Sequence, residues 1–288
     1  MITYIFCIFG LKNTLHLTLH TSPLKMFLEI FSQTPPEVPP PYAHAYKISL
    51  SKSHSKENKN VKENITELKI NFEIEYIFRE GLSNEEIIAE GFSENDDYRW
   101  EGVLPAIWLT EIEDFLAKTT YQHEILNDLY LKINDNKNTP ENLDEWLYFV
   151  QELVQAIYEK AAHSLPLLIR LRSVETDKDA DKNTPKNGIT LALEPSFVER
   201  KVVASLKKNK EKHQIIPISW EHFGLTLQKI YQLEYIQDKA REEEPQKNGF
   251  FIDNGQGFWY EEGKSFAGDI KIINEVKNFL NRNIKLLK

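Results

Sequence analysis

The sequence has a single cysteine, Cys7, and fewer basic than acidic residues: 35 Lys and Arg stand against 44 Asp and Glu. One cysteine excludes an intrachain disulfide framework and a cysteine-based zinc site, and it favours a reducing, cytoplasmic compartment. The net charge of −9 disfavours general binding to nucleic acids or to an anionic membrane, because phosphate contacts need Lys and Arg.

Long apolar runs are also missing from this chain. Residues 2–11 are apolar, but the run is too short to span a bilayer and no basic stretch precedes it. We expect residues 1–41 to be a disorder-prone tail and Pro-rich lead-in, because they end in Pro35-Pro-Glu-Val-Pro-Pro-Pro41. Residues 1–25 show no regular period and are expected to be dispensable for stability.

The clearest pattern is an alternation of apolar and polar residues between Leu68 and Arg79. Its apolar members are Leu68, Ile70, Phe72, Ile74, Tyr76 and Phe78. Side chains of a strand alternate between its two faces, so this period predicts a long strand with one buried and one solvated face. Only Ile77 breaks the rule. Residues 44–52 alternate in the same way, which predicts an antiparallel hairpin between the two segments.

The remaining patterns predict an α+β fold, with one or more antiparallel sheets packed with four to five helices. Helical periods or caps are found at 83–90, 105–118, 140–163, 219–244 and 269–282, and further strands at 98–103, 165–174, 189–193, 198–206 and 214–218. Residues 122–134 fit a helix or a strand, and we favour a helix. Residues 42–174 and 188–288 are interpreted as N- and C-terminal α+β lobes, or as parts of one continuous domain.

A hairpin is predicted at 250–260, because Asn254-Gly255 is a strong signal for a two-residue turn. Phe250, Ile252, Phe258 and Tyr260 then share one face. The other face carries Phe251 and Trp259 beside Asp253 and Glu261. Aromatic anchors rimmed by charge are typical of binding hot spots, so we hypothesise that these four residues bind another protein. The alternative is that helix 269–282 covers them.

Sequence motifs for catalysis are weak. Residues 257–265 resemble a phosphate-binding loop but have five residues instead of four between the glycines, and two of these are glutamates. Glu199-Arg-Lys201 with Glu194 imitates a nuclease site, yet Glu-x-Lys recurs as often as chance allows. The acidic run 94–97 lacks the spacing of a calcium loop. We therefore predict no catalytic residue, no metal-binding residue and no cofactor.

Charge is unevenly distributed along the chain. Residues 79–128 hold 13 acidic and 3 basic side chains, whereas residues 196–213 hold 2 acidic and 6 basic ones. Such asymmetry can steer a charged partner. The predicted function is that of a non-catalytic intracellular protein that binds another protein, such as an immunity or antitoxin-like factor, a scaffold or an accessory subunit. The alternative is a hydrolase, metal-dependent or not, with dispersed site residues.

Overall fold

Sheets dominate the architecture, which is α+β. The computed structural model describes residues 26–54, 66–121, 131–133, 140–175, 187–209 and 211–285, so the predictions for residues 1–25 lie outside the described residues. The described ranges contain five α-helices and three sheets, in agreement with the predicted class. They divide into two units, one ending at His163 and the other beginning at Ser164.

The first unit is built on a five-stranded antiparallel sheet with the order β4-β3-β2-β1-β5. Its strands are β1 (Met26–Gln33), β2 (His44–His54), β3 (Thr66–Tyr76), β4 (Tyr98–Leu104) and β5 (Leu131–Ile133). The predicted hairpin is confirmed, since β2 and β3 pair along their whole length with Ile48 opposite Phe72.

Alternation along β3 explains how this sheet is packed. Its apolar residues from Leu68 to Ile74 are buried, and Phe72 contacts Tyr158 edge to face at 5.7 Å between ring centroids. The described residues of this unit form three helices, α1 (Asn84–Ala89), α2 (Ala106–Lys118) and α3 (Leu143–Lys160), and Tyr158 belongs to α3. The opposite face of the sheet carries charged side chains that form ion pairs such as Lys69–Glu101 and Arg99–Glu73, as is usual for a face in contact with water.

Two segments of this unit differ from the sequence-based expectation. Strand β1 lies inside the expected tail 1–41, and its Leu28 and Ile30 are fully buried because it pairs with β2 on one side and β5 on the other. Residues 131–133, favoured as helix, form strand β5 with Leu131 and Ile133 buried. In both places, pairing with distant strands decides the conformation, which local patterns do not report.

The second unit contains a six-stranded antiparallel sheet with the order β12-β11-β6-β7-β8-β9. Its strands are β6 (Ile169–Glu175), β7 (Asn187–Ser196), β8 (Lys201–Lys208), β9 (Gln214–Ile216), β11 (Gly249–Asp253) and β12 (Tyr260–Glu261). Strands β10 (Glu234–Tyr235) and β13 (Phe266–Ala267) form a separate pair. Helices α4 (Trp220–Tyr231) and α5 (Ile270–Ile284) cover one face, where the main apolar core of the unit lies.

Helix α4 is shorter than the predicted helix 219–244. The chain leaves the helix after Tyr231 because Tyr235 pairs with Phe266 and packs against Tyr260, at 4.8 Å between ring centroids. Residues 240–247 then run over the face of the sheet that lies opposite the helices. None of the described helices is long and apolar enough to cross a membrane.

The hairpin at 250–260 is present, but its connection is wider than the predicted two-residue turn. Strand β11 ends at Asp253 and Ile252 pairs with Tyr260, so residues 254–259 form a loop. Asp253 determines this geometry, because its Oδ1 accepts hydrogen bonds from the N–H groups of Gly255 and Gly257, both at 3.0 Å. The predicted faces are retained, since Ile252 and Tyr260 belong to the core beneath the helices.

Candidate functional site

The four residues proposed from the sequence as a binding surface lie together on one face of the hairpin but are buried. Phe251 and Trp259 form a small apolar cluster with Val174, and only 2% of Trp259 is exposed. Asp253 and Glu261 are also buried. Asp253 is paired with Arg170, whose guanidinium lies 4.7 Å from the centre of the Trp259 ring.

Residues 240–247, not helix α5, cover this face. The backbones of Arg241 and Trp259 exchange two hydrogen bonds, at 3.1 and 2.7 Å. Buried Arg172 donates to the carbonyl of Pro245 at 2.7 Å and pairs with Glu244. Burial lowers the pKa of Arg172, an effect that Glu244 opposes. Phe251 and Trp259 thus pack within the chain itself. A surface that is accessible to a partner must lie elsewhere.

A different exposed aromatic residue follows strand β3. Phe78 was predicted to lie on the buried face of this strand, but β3 ends at Tyr76 and 57% of Phe78 is exposed. Its φ of 63° lies in the left-handed region, which bulky residues rarely adopt and which costs about 1–2 kcal/mol. The ring of Phe78 is thus largely exposed at a backbone conformation that is costly for a residue of its size.

Arg79 fixes this conformation. Its guanidinium donates to the carbonyl of Pro41 at 3.0 Å and to Asp96 at 2.9 Å. Its guanidinium carbon also lies 4.3 Å from the centre of the Tyr76 ring and 5.0 Å from that of Phe92. Because Arg79 is directed inward and anchored at four places, the backbone turns and Phe78 is directed outward.

Helix α1 continues this surface. Ser83 and Glu86 form a capping box at the start of α1, and the hydrogen bonds from Ser83 lower the pKa of Glu86. Ile88 is 60% exposed on this helix, while its neighbour Ile87 is buried. At the far end, the Tyr42 hydroxyl donates to Glu90. Phe78 and Ile88 are therefore presented by a well-braced segment.

The segment is strongly acidic. We define the acidic segment as residues 77–97, which contain seven acidic side chains and one basic one, Arg79. The charge of Arg79 is balanced internally by buried Asp96. The other six acidic residues are exposed: Glu80, Glu85, Glu86, Glu90, Glu94 and Asp97. The acidic segment thus carries two exposed apolar side chains and six exposed carboxylates.

The described ranges give little evidence for a site that binds a metal ion or a phosphate group. No group of three or more His, Cys, Asp or Glu residues there has the geometry to hold a metal ion. In the segment that resembles a phosphate-binding loop, Lys264 is paired with Glu261. A groove of about 320 Å³ opens near the end of β11, but its Lys277 is already paired with Glu262. The alternative of a hydrolase stays a prediction without an assigned site.

Comparison with other proteins adds no assignment. This chain matches no protein-family model, no curated protein and no solved structure. The site must therefore be interpreted from its own chemistry, in which the acidic segment with Phe78 and Ile88 is the most distinctive surface.

Proposed function

We propose that this chain is a non-catalytic protein-binding protein of the cytoplasm, and that the acidic segment is its binding surface. The observation that carries the proposal is Phe78, a rigidly presented aromatic side chain that is exposed at a strained backbone conformation. Backbone strain of this kind persists where the surroundings enforce it, and it is enriched at functional sites. Binding of the ring in a partner's pocket would recover the cost of exposing it.

The partner is inferred from the chemistry of the surface. Phe78 and Ile88 would fit an apolar pocket of the partner. The carboxylates of the acidic segment would pair with Lys or Arg at the rim of that pocket. Nucleic acids do not fit, because six exposed carboxylates repel phosphate. An immunity or antitoxin-like factor, a scaffold and an accessory subunit would each use such a surface against a basic protein.

The proposal is tested by comparing three forms of the chain as baits in cell extracts: wild type, Phe78→Asn and Tyr148→Ala. Tyr148 is a matched control, because it is a partly exposed aromatic residue of the same unit, on α3, outside the acidic segment. We expect a basic protein to be retained by the wild type and by Tyr148→Ala and to be lost with Phe78→Asn.

The retained protein is then purified and titrated against the same three forms. As a hot spot, Phe78 should contribute at least about 2 kcal/mol, so Phe78→Asn should raise the Kd roughly 30-fold. Equal affinity of all three forms would refute the role of Phe78, and a partner that is retained only through the second unit would refute the assignment of the surface.

A further inference from the structure

Among the described residues, only part of the face opposite the helices is covered in the six-stranded sheet of the second unit. Residues 240–247 cover β12, β11 and β6, as the bonds from Arg241 and Arg172 show. On β8 and β9 of the same face, Val203 is 53% exposed and Ile215 is 70% exposed. This part of the sheet therefore presents aliphatic side chains to solvent.

The register of the strands defines this surface. Val202, Ala204 and Leu206 pack beneath the helices, so the intervening residues of β8 point to the open face. These are Lys201, Val203, Ser205 and Lys207, of which Ser205 is buried. Ile215 of the edge strand β9 lies opposite Ser205. The resulting strip, which we call the basic strip, has aliphatic residues in its middle and a lysine at each end.

The lysines of this strip and of the turn that follows it have no intramolecular counter-ion in the described ranges. No described carboxylate forms an ion pair with Lys201, Lys207, Lys208 or Lys212. Three other lysines of the unit do form ion pairs: Lys229 with Glu275, Lys247 with Glu261 and Lys277 with Glu262. Four lysines without such a pair thus lie close together along the chain, on β8 and in the turn that precedes β9.

We infer that the basic strip is a second binding surface, which takes an acidic peptide of another protein in an extended conformation. Lys201 and Lys207 are six residues apart, about 20 Å along a strand at roughly 3.3 Å per residue, which matches the spacing of carboxylates near the two ends of an extended peptide. Val203 and Ile215 contact aliphatic side chains in the middle of that peptide.

The position of the peptide follows from the neighbouring charges. Glu194 lies opposite Val203 on β7 and repels carboxylates on that side of the strip. The peptide is therefore placed towards β9, which is the last strand of the sheet among the described residues. This inference does not rest on the proposed function, because it concerns another unit and a partner of opposite charge. Together, the two surfaces would make the chain an adaptor.

The test uses the full-length chain and a fluorescein-labelled peptide of alternating Glu and Val, about eight residues long to match the strip. Fluorescence anisotropy at low salt should show saturable binding with a Kd on the order of 100 μM, because a short flexible peptide carries an ordering cost. Lys207→Glu and Ile215→Glu should each raise the Kd at least about tenfold.

Two matched controls carry the same changes elsewhere in the unit. Lys285→Glu reverses an exposed lysine at the end of α5, and Ile270→Glu changes an isoleucine that is 65% exposed. Both should alter the Kd by less than about twofold, as expected for surface sites remote from the peptide. All four variants should keep the thermal midpoint of the wild type, since each change lies on the surface.

Three outcomes would overturn the inference. The first is the absence of saturable binding, and the second is an equal loss of affinity in the strip variants and their controls. The third is tighter binding of an oligothymidine or of a peptide of alternating Lys and Val, because the strip would then serve nucleic acid or act without regard to charge. None of these results bears on the Phe78 surface, which is measured separately.

Discussion

Phe72 and Phe78 lie six residues apart and have opposite surroundings. Phe72 is buried among aromatic neighbours, with the rings of Tyr46, Tyr98 and Tyr158 all between 5.7 and 6.4 Å from it by centroid. Phe78 is largely exposed and has a strained backbone. One side chain should therefore contribute strongly to stability, whereas the other should reduce it.

Truncation of the buried ring should be costly. Phe72→Ala is expected to lower the free energy of unfolding by about 3–5 kcal/mol, because it leaves a cavity in a packed core. Glu73→Ala, its neighbour on the solvated face, should cost about 0.5 kcal/mol or less. Urea titrations of both variants measure the difference. Similar losses at the two positions would show that both faces of β3 are covered.

Replacement of the strained ring should stabilise the chain. Asn tolerates positive φ and exposes no apolar ring, so Phe78→Asn should raise the free energy of unfolding by about 1 kcal/mol. Calorimetry should show an increase of roughly 2–4 °C in the thermal midpoint for a domain of 150–250 residues. A lower midpoint would mean that the ring packs against the chain, and it would weaken the proposed binding role.

Two histidines of the first unit predict how stability depends on pH. Burial lowers the pKa of His44 and of His163, although the hydrogen bond from His44 to the carbonyl of Tyr42 partly opposes it. Since the folded-state pKa lies below the unfolded value of about 6.5, the unfolded chain binds protons first. Stability is therefore complete above about pH 6.5 and is lost as the pH falls below it.

Unfolding free energies at about pH 7.5 and 5.5 measure this loss, and each histidine contributes a slope of at most about 1.4 kcal/mol per pH unit. His44→Gln removes one titrating group and should flatten the profile. His163→Gln removes the other group whose pKa is lowered by burial and should flatten the profile in the same way. An identical slope in all three forms would exclude His44 as a cause.

The exposure of Phe78 is an example of a single-residue property that the sequence pattern did not predict. Alternation placed it on the buried face, and the same alternation correctly predicted the burial of Phe72. The break at Ile77 was the local signal that the strand ends. What turns the chain there is Arg79, whose partners Pro41 and Asp96 are distant in sequence. Contacts between residues that are distant in sequence produce no periodic pattern in the sequence.

At the scale of elements, patterns with a local cause were reliable. The capping box of α1, the pairing of β2 with β3 and the buried stripe of α5 are each determined by residues within one or two turns or strands. The end of α4 and strand β1 were not predicted, because Tyr235 and Ile30 find partners far along the chain. The path of residues 240–247 depends in the same way on Arg172.

That path predicts the optical behaviour of Trp259. Because residues 240–247 cover the hairpin, Trp259 should be shielded from acrylamide, whereas Trp100 and Trp220 are partly exposed and should be quenched. The difference in quenching between the wild type and Trp259→Phe isolates its contribution. An accessible Trp259 would show that residues 240–247 open in solution, and the hairpin would then regain its predicted role as a binding surface.

At the scale of the whole molecule, charge is segregated rather than balanced. The acidic segment of the first unit exposes six carboxylates, and the basic strip of the second unit presents unpaired lysines. The sequence predicted this asymmetry from the composition of 79–128 and 196–213. The sequence did not predict that both the acidic segment and the basic strip contain exposed apolar residues. Exposure depends on which face of each element is covered by the rest of the chain.

Segregated charge predicts that molecules attract one another near the isoelectric point of about 5.5. The net charge of the chain vanishes there, although acidic and basic side chains remain unevenly distributed along the sequence. Oppositely charged surfaces of different molecules then attract at low salt, where the Debye length is about 30 Å, and separate near 1 M salt, where it is about 3 Å. Light scattering at pH 5.5 should show association at low salt and dissociation at high salt.

The double variant Lys201→Glu, Lys207→Glu should weaken this attraction more than the control Lys285→Glu, Lys239→Glu. Attraction that grows with salt would instead indicate apolar contacts between the molecules.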